Sequence, residues 1–238
     1  MNPKILYTKP SITSIEVELA TDAAQNGWGD ECYSYIEKFE KSFLEYTGSN
    51  FAISTSSCTG AMHMGLKALG VGPGDEVIMA DTNWVATVSP VVHLGAVPKF
   101  VDISCDAWCI DPKKVQKAIT PRTKAIIATH LYGNLCEIDE LQKIATEFNL
   151  ALVEDAAEAM GSYYKTRHLG TFGDIGIVSF NGNKIITTGS GGCVLTNNKN
   201  YYYRIKSLAT SCKISHPWSF FYSGLGYNYM MNNMQASL

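Results

Sequence analysis

Lys184 stands in SFNGNKIITTGSGG (179–192), directly after an apolar, strand-like run. A lysine amine partly removed from water loses its proton more readily and condenses with aldehydes. A solvated loop lysine does neither, and the local sequence leaves both readings open. Three further stretches bear on the choice. In SSCTG (56–60) small residues lead from a strand into a helix. The free first-turn N–H groups there, with Gly60 allowing close approach, offer a seat for phosphate, or simply a Ser/Thr cap. In VEDAAEA (153–159) a strand delivers Glu154 and Asp155 to its end. An acid so placed can ligate a metal, cap a helix or pair with a protonated ring nitrogen. Trp84, in ADTNWVATV (80–88), either stacks on a planar ligand or fills the core.

Together these are the parts that pyridoxal 5′-phosphate requires: a phosphate seat, a flat aromatic, an acid at a strand end and an amine. The lysine forms the Schiff base, and the aspartate keeps the pyridine nitrogen protonated so that the ring draws electrons from the substrate. Lys184 lies about thirty residues beyond Asp155, a separation that one strand-to-strand connection spans.

The elements that must hold these residues alternate. Short apolar runs (NFAIS, DEVIMA, PKFVDI, KAIIAT, LALVEDA, IGIVSF) are separated by helical segments: TGAMHMGLKALG closed by Gly70, the turn and helix of TNWVATVSPVVHLG, DPKKVQKAI entered at Asp111, and EIDELQKIATEFN. This order predicts an α/β domain whose sheet is mostly parallel, and strands apolar at most positions predict helices on both of its faces. Ligands of such sheets bind beyond the carboxyl ends of the strands. After about Asn198 the chain reads as aromatic-rich and irregular, ending inside a starting helix (232–238). The expected divisions are an N-terminal segment (1–30), a cofactor-binding large domain (31–200) and the start of an incomplete C-terminal region (201–238).

Composition bounds the rest. With 46% hydrophobic residues, 17% charged and a net charge of −3, the chain has no electrostatic footprint for nucleic acid or an anionic membrane. Prolines 3 and 10 and glutamates 16 and 18 interrupt the N-terminus, so no signal peptide is expected. No apolar run reaches membrane-spanning length. Seven scattered cysteines without a leader point to reduced thiols in a cytoplasm. Cys105 and Cys109 form a C-x3-C pair, but no second pair follows to complete a zinc site, and no metal is expected.

The chain resembles the DegT/DnrJ/StrS-type nucleotide-sugar aminotransferases, which are fold-type I pyridoxal-phosphate enzymes. The resemblance runs through GW (27–28), SSCTGAMHMGLKALGVGPGDEVI, LGAVPKFVDI, ITPRTKAIIATHLYGN, VEDAAEAMGS, GTFGDIGIVSFNGNKIITTGSGG and GYNYMMNNMQAS. The wording of VEDAAEA and NGNKIITTG is most similar to the perosamine- and bacillosamine-type branches, which aminate C4 of a 4-keto-6-deoxy sugar nucleotide. The fold implied is the fold-type I large domain, with the family's C-terminal domain missing or truncated.

By motif, the resemblance implies that Lys184 is the internal-aldimine lysine and Asp155 the pyridinium partner. Thr59 and Gly60 would offer backbone amides, and Ser179 its hydroxyl, to the phosphate. Trp84 would stack on one ring face, with Glu158 near the other face and the ring hydroxyl. Asn228 would reach the phosphate of a neighbouring subunit, implying a homodimer with shared active sites. The activity implied is amino transfer, with L-glutamate as donor and a nucleotide-linked keto sugar as acceptor, for polysaccharide or O-antigen biosynthesis. Lysine at 184 points to amino transfer, because a branch with histidine there performs dehydration. Glu158, Ser190 and Met230 stand where the family more often has glutamine, glutamate and arginine. A homologue that binds cofactor or nucleotide sugar without full turnover is therefore the alternative reading.

Overall fold

The computed structural model describes residues 8–238; the first seven residues of the expected N-terminal segment lie outside it. The strands run in chain order as β1 (Phe51–Thr55), β2 (Glu76–Ala80), β3 (Val97–Val101), β4 (Thr123–Thr129), β5 (Ala151–Asp155), β6 (Tyr163–Tyr164), β7 (Arg167–His168), β8 (Ile175–Ser179), β9 (Gly192–Thr196), β10 (Lys213–Ile214) and β11 (Phe221–Tyr222). Seven of them form one sheet in the order β1-β9-β8-β5-β4-β2-β3, while β6 with β7 and β10 with β11 make two short hairpins. In the large sheet β9 pairs antiparallel with both neighbours and the other pairings are parallel. Six strands therefore share one direction and release the chain at one edge of the sheet.

Helices α1 (Ser14–Asn26), α2 (Ser34–Thr47), α3 (Cys58–Ala68), α4 (Val85–His93), α5 (Pro112–Ala118), α6 (Ile138–Glu147), α7 (Lys199–Ala209) and α8 (Asn233–Ser237) complete the fold. The period-two alternation of the strands divides the core into layers. Val77, Met79, Ala125, Ile127, Ile175 and Ile177 pack on one face with Met64 and Leu66 of α3. Ile78, Ile126, Ala128 and Leu152 pack on the other with Leu141 and Ile144 of α6. Ala52, Val178 and Leu195 meet Ile36 and Phe43 of α2. Both faces are covered, and this is why the strands are apolar at nearly every position. Among the described residues no helix is long and apolar enough to cross a membrane.

The region after Asn198 is not irregular throughout. Asn198 caps α7, its side chain accepting from the amides of Asn200 and Tyr201. The helix runs across residue 200 without interruption, and Ile205 and Ala209 lie buried in the same layer as Ile53 and Val194. Tyrosines at 201–203 surround the helix with aromatic rings and hide its 3.6-residue period. Strand β9, which follows the Thr/Ser/Gly run at 187–191, is a seventh sheet strand beyond the six apolar runs read from the sequence.

Candidate active site

A cavity of about 620 Å³ opens at the carboxyl ends of β1, β2, β4, β5 and β8. Each wall follows from a strand end. Beyond β1, Ser57 caps α3, its Oγ accepting from the Gly60 amide at 3.0 Å. The amides of Cys58 and Thr59, in the first helical turn, have no protein acceptor among the described residues. Gly192 makes this junction possible, since a Cβ there would lie 2.6 Å from the Cys58 nitrogen. Ser179, at the end of β8, is buried beside the Cys58 thiol. Burial pushes that thiol up, so it stays protonated and is no rival nucleophile.

Asp155 ends β5 and is 5% exposed. Its Oδ2 accepts from Thr87 Oγ1 at 2.6 Å and its Oδ1 from the Ala157 amide at 3.2 Å. No cation pairs with it among the described residues. Burial pushes its carboxyl above the usual range, against the opposing pull of the Thr87 and Ala157 bonds and the Lys184 charge. A buried carboxylate on a cavity wall, held by two donors and lacking a cation, suits a ligand that brings a positive N–H.

Lys184 lies in the loop after β8, in a turn closed by its own amide to the Asn181 carbonyl. Its side chain is 18% exposed and its Nζ is 3.2 Å from Glu158 Oε1. The solvated reading of Lys184 is thus set aside. Glu158 Oε2 also accepts from the Tyr132 amide at 3.0 Å, which fixes the carboxylate beside the lysine. Trp84 precedes α4 on the cavity wall and is 75% exposed, which excludes its role as a core residue.

The structure therefore brings Thr59, Trp84, Asp155, Glu158, Ser179 and Lys184 onto one cavity. Two expected residues stand apart from its wall. The Gly60 amide is engaged by the Ser57 cap. Asn228 is exposed and bridges Thr210, away from the cavity of its own chain. Glu154 is turned away from the cavity and caps no helix, and both its oxygens are taken up by protein donors. It lies fully buried, accepting from His130 Nε2 at 3.0 Å and from the amides of Gly170, Phe172 and Gly173. Burial opposes its charge, but the His130 bond and those amides outweigh it and hold the carboxyl below the usual range. At the two other departures from the family pattern, Ser190 donates to the Ser56 carbonyl at 3.0 Å, and Met230 packs between two core layers.

Several wall residues were not anticipated. Thr87 and Asn83 sit within a turn of Trp84 but carry no motif of their own. Trp108 and Tyr132 hold positive φ angles of 58° and 51°, a strain common at functional sites and invisible in sequence.

The residues fit pyridoxal 5′-phosphate. Two unengaged helix-start amides and a serine hydroxyl suit a phosphate, an uncompensated buried carboxylate suits a pyridinium, and a sheltered amine suits an aldehyde. A mostly parallel α/β sheet with this set at its strand ends defines a fold-type I pyridoxal-phosphate protein. The chain belongs to the DegT/DnrJ/EryC1/StrS aminotransferase family, whose pattern matches residues 10–238. Pyridoxal 5′-phosphate is the cofactor of this family. Over 230 residues the chain is 39% identical to a GDP-perosamine synthase of Escherichia coli O157:H7, covering 97% of this chain and 63% of that protein. An aminotransferase of Psychrobacter cryohalolentis superposes with a TM-score of 0.88 at 33% identity, over 96% of this chain and 61% of the other. The pyridoxal-phosphate form of a putative sugar aminotransferase, Spr1654 from Streptococcus pneumoniae, superposes at 0.89 with 29% identity, over 98% and 64%. The chain thus spans about 63% of the length of the curated relatives it matches.

Proposed function

We propose that this chain carries the cofactor site of a nucleotide-sugar aminotransferase, moving an amino group from L-glutamate to the C4 keto group of a nucleotide-linked deoxysugar. The observation that supports it most is the placement of the Lys184 amine and the cation-free Asp155 carboxylate on one cavity. When bound, pyridoxal 5′-phosphate supplies an electron sink for negative charge at the donor's Cα. Asp155 holds the proton on the ring nitrogen. The amides of Cys58 and Thr59 and the Ser179 hydroxyl bind the phosphate, and Trp84 covers one ring face. Lys184 Nζ would hold the cofactor's aldehyde carbon and, once freed by the donor, would carry the donor's Cα proton to that carbon. Glu158 steadies that amine. Asn228, exposed on its own chain, serves the phosphate of a second copy in a homodimer. The product would enter polysaccharide synthesis, including O-antigen, in the cytoplasm.

The test is a single turnover. Purified protein loaded with cofactor and mixed with L-glutamate should release 2-oxoglutarate equimolar with bound cofactor, then aminate a nucleotide-linked 4-keto-6-deoxy sugar. Cofactor retention with no 2-oxoglutarate would make the chain a binding homologue instead.

A further inference from the structure

We propose that Thr87 is the positioning residue that keeps Asp155 ionised opposite the cofactor's ring nitrogen; this rests on the pyridoxal-phosphate reading of the site. The geometry is specific. Thr87 Oγ1 lies 2.6 Å from Asp155 Oδ2 and 3.1 Å from Asn83 Oδ1. The Asn83 amide has a fixed orientation: its Oδ1 accepts from the Trp84 amide at 2.8 Å and its Nδ2 donates to Thr129 Oγ1 at 2.9 Å. Turning it over would set its NH2 against the Trp84 N–H. The single hydroxyl hydrogen of Thr87 therefore faces two acceptors, a carboxylate oxygen and an amide oxygen.

That arrangement is a rotor with two settings. When Asp155 is ionised, the hydrogen goes to the carboxylate, the stronger, charge-assisted acceptor. When Asp155 is protonated, its O–H donates to Thr87, whose own hydrogen turns to Asn83. The carboxyl is satisfied in either state, and a ring N–H meets an anion already held from behind. Other groups within electrostatic reach of Asp155 are Lys184, His130, Cys58 and Cys136. None of them donates to Oδ2. Without Thr87, Oδ2 loses its donor on a carboxyl that is itself only 5% exposed. The shared proton then moves from the ring nitrogen toward the carboxylate, by about ten- to a hundredfold for the loss of one bond to a charged group. The ring becomes a weaker electron sink.

The test uses the full chain loaded with pyridoxal phosphate carrying 15N in the ring, read by NMR at one neutral pH. The native chain should show the protonated ring nitrogen. Thr87→Val, similar in shape but without a donor, should move the signal toward the unprotonated position and slow the glutamate single turnover at least tenfold at saturating glutamate. Thr87→Ser should restore both. Asn83→Ala, which removes the competing acceptor, should leave the nitrogen protonated. A Thr87→Val signal and rate matching the native chain would overturn the proposal, as would an Asn83→Ala shift toward the unprotonated position. A native chain that takes up no labelled cofactor overturns instead the reading on which the proposal stands.

Discussion

Asp155→Asn should stabilise the cofactor-free protein while abolishing its use of the cofactor. The carboxylate is buried, without a cation, and its folded-state pKa lies above the ordinary 3.8. The folded state then binds the proton more tightly than the unfolded state. Asp155's contribution to stability is greatest below 3.8 and is lost as pH rises through the folded value, so at neutral pH the ionised side chain is a burden. Desolvating an ion costs several kcal/mol, and the Thr87 and Ala157 bonds offset much of it, leaving a burden of about 1–3 kcal/mol. Asparagine fits the same network. Its oxygen accepts from Ala157, its NH2 donates to Thr87, and the Thr87 hydroxyl turns to Asn83. Thermal unfolding without cofactor should show Asp155→Asn melting about 2–10 °C higher at pH 7. The gain should shrink as pH falls through the raised folded-state value and the native carboxyl protonates. A variant that melts lower at every pH would refute the reasoning, because it would show Asp155 to be a structural anchor.

Two further substitutions probe the scaffold. Glu154→Gln would turn an NH2 either against the Gly170 amide and the His130 N–H or against the amides of Phe172 and Gly173, and should cost about 2–4 kcal/mol in chemical denaturation at pH 7. Since the Glu154 carboxyl is held below 4.5, its contribution is present above that pH and lost below it, so the difference from the native protein should narrow as pH falls. Gly192→Ala would place a Cβ 2.6 Å from the Cys58 nitrogen and 2.7 Å from the Ser57 carbonyl carbon. It should cost about 1–3 kcal/mol and weaken cofactor binding in a fluorescence titration by displacing the start of α3.

The parallel sheet was legible because its strands are apolar on both faces, and the first turn of α3 because a run of small residues precedes it. That Lys184 and Asp155 would come together at the strand ends could be read from position and residue type. The contact between Thr87 and Asp155 could not, because it is a 2.6 Å bond across 68 residues of sequence. Glu154 was ambiguous for a related reason. Adjacent strand residues point to opposite faces, and only the folded chain shows Asp155 facing the cavity and Glu154 facing the buried 170–173 loop. Helix α7 was hidden by tyrosines on every side, although its Asn198 cap stands in the sequence.

Chemical labelling tests most directly whether Lys184 is the amine that holds the cofactor. Protein incubated with pyridoxal 5′-phosphate, reduced with borohydride and digested should carry the reduced cofactor on the peptide containing Lys184, and Lys184→Ala should carry none. Label on a different lysine, or no label on the native chain, would contradict the account.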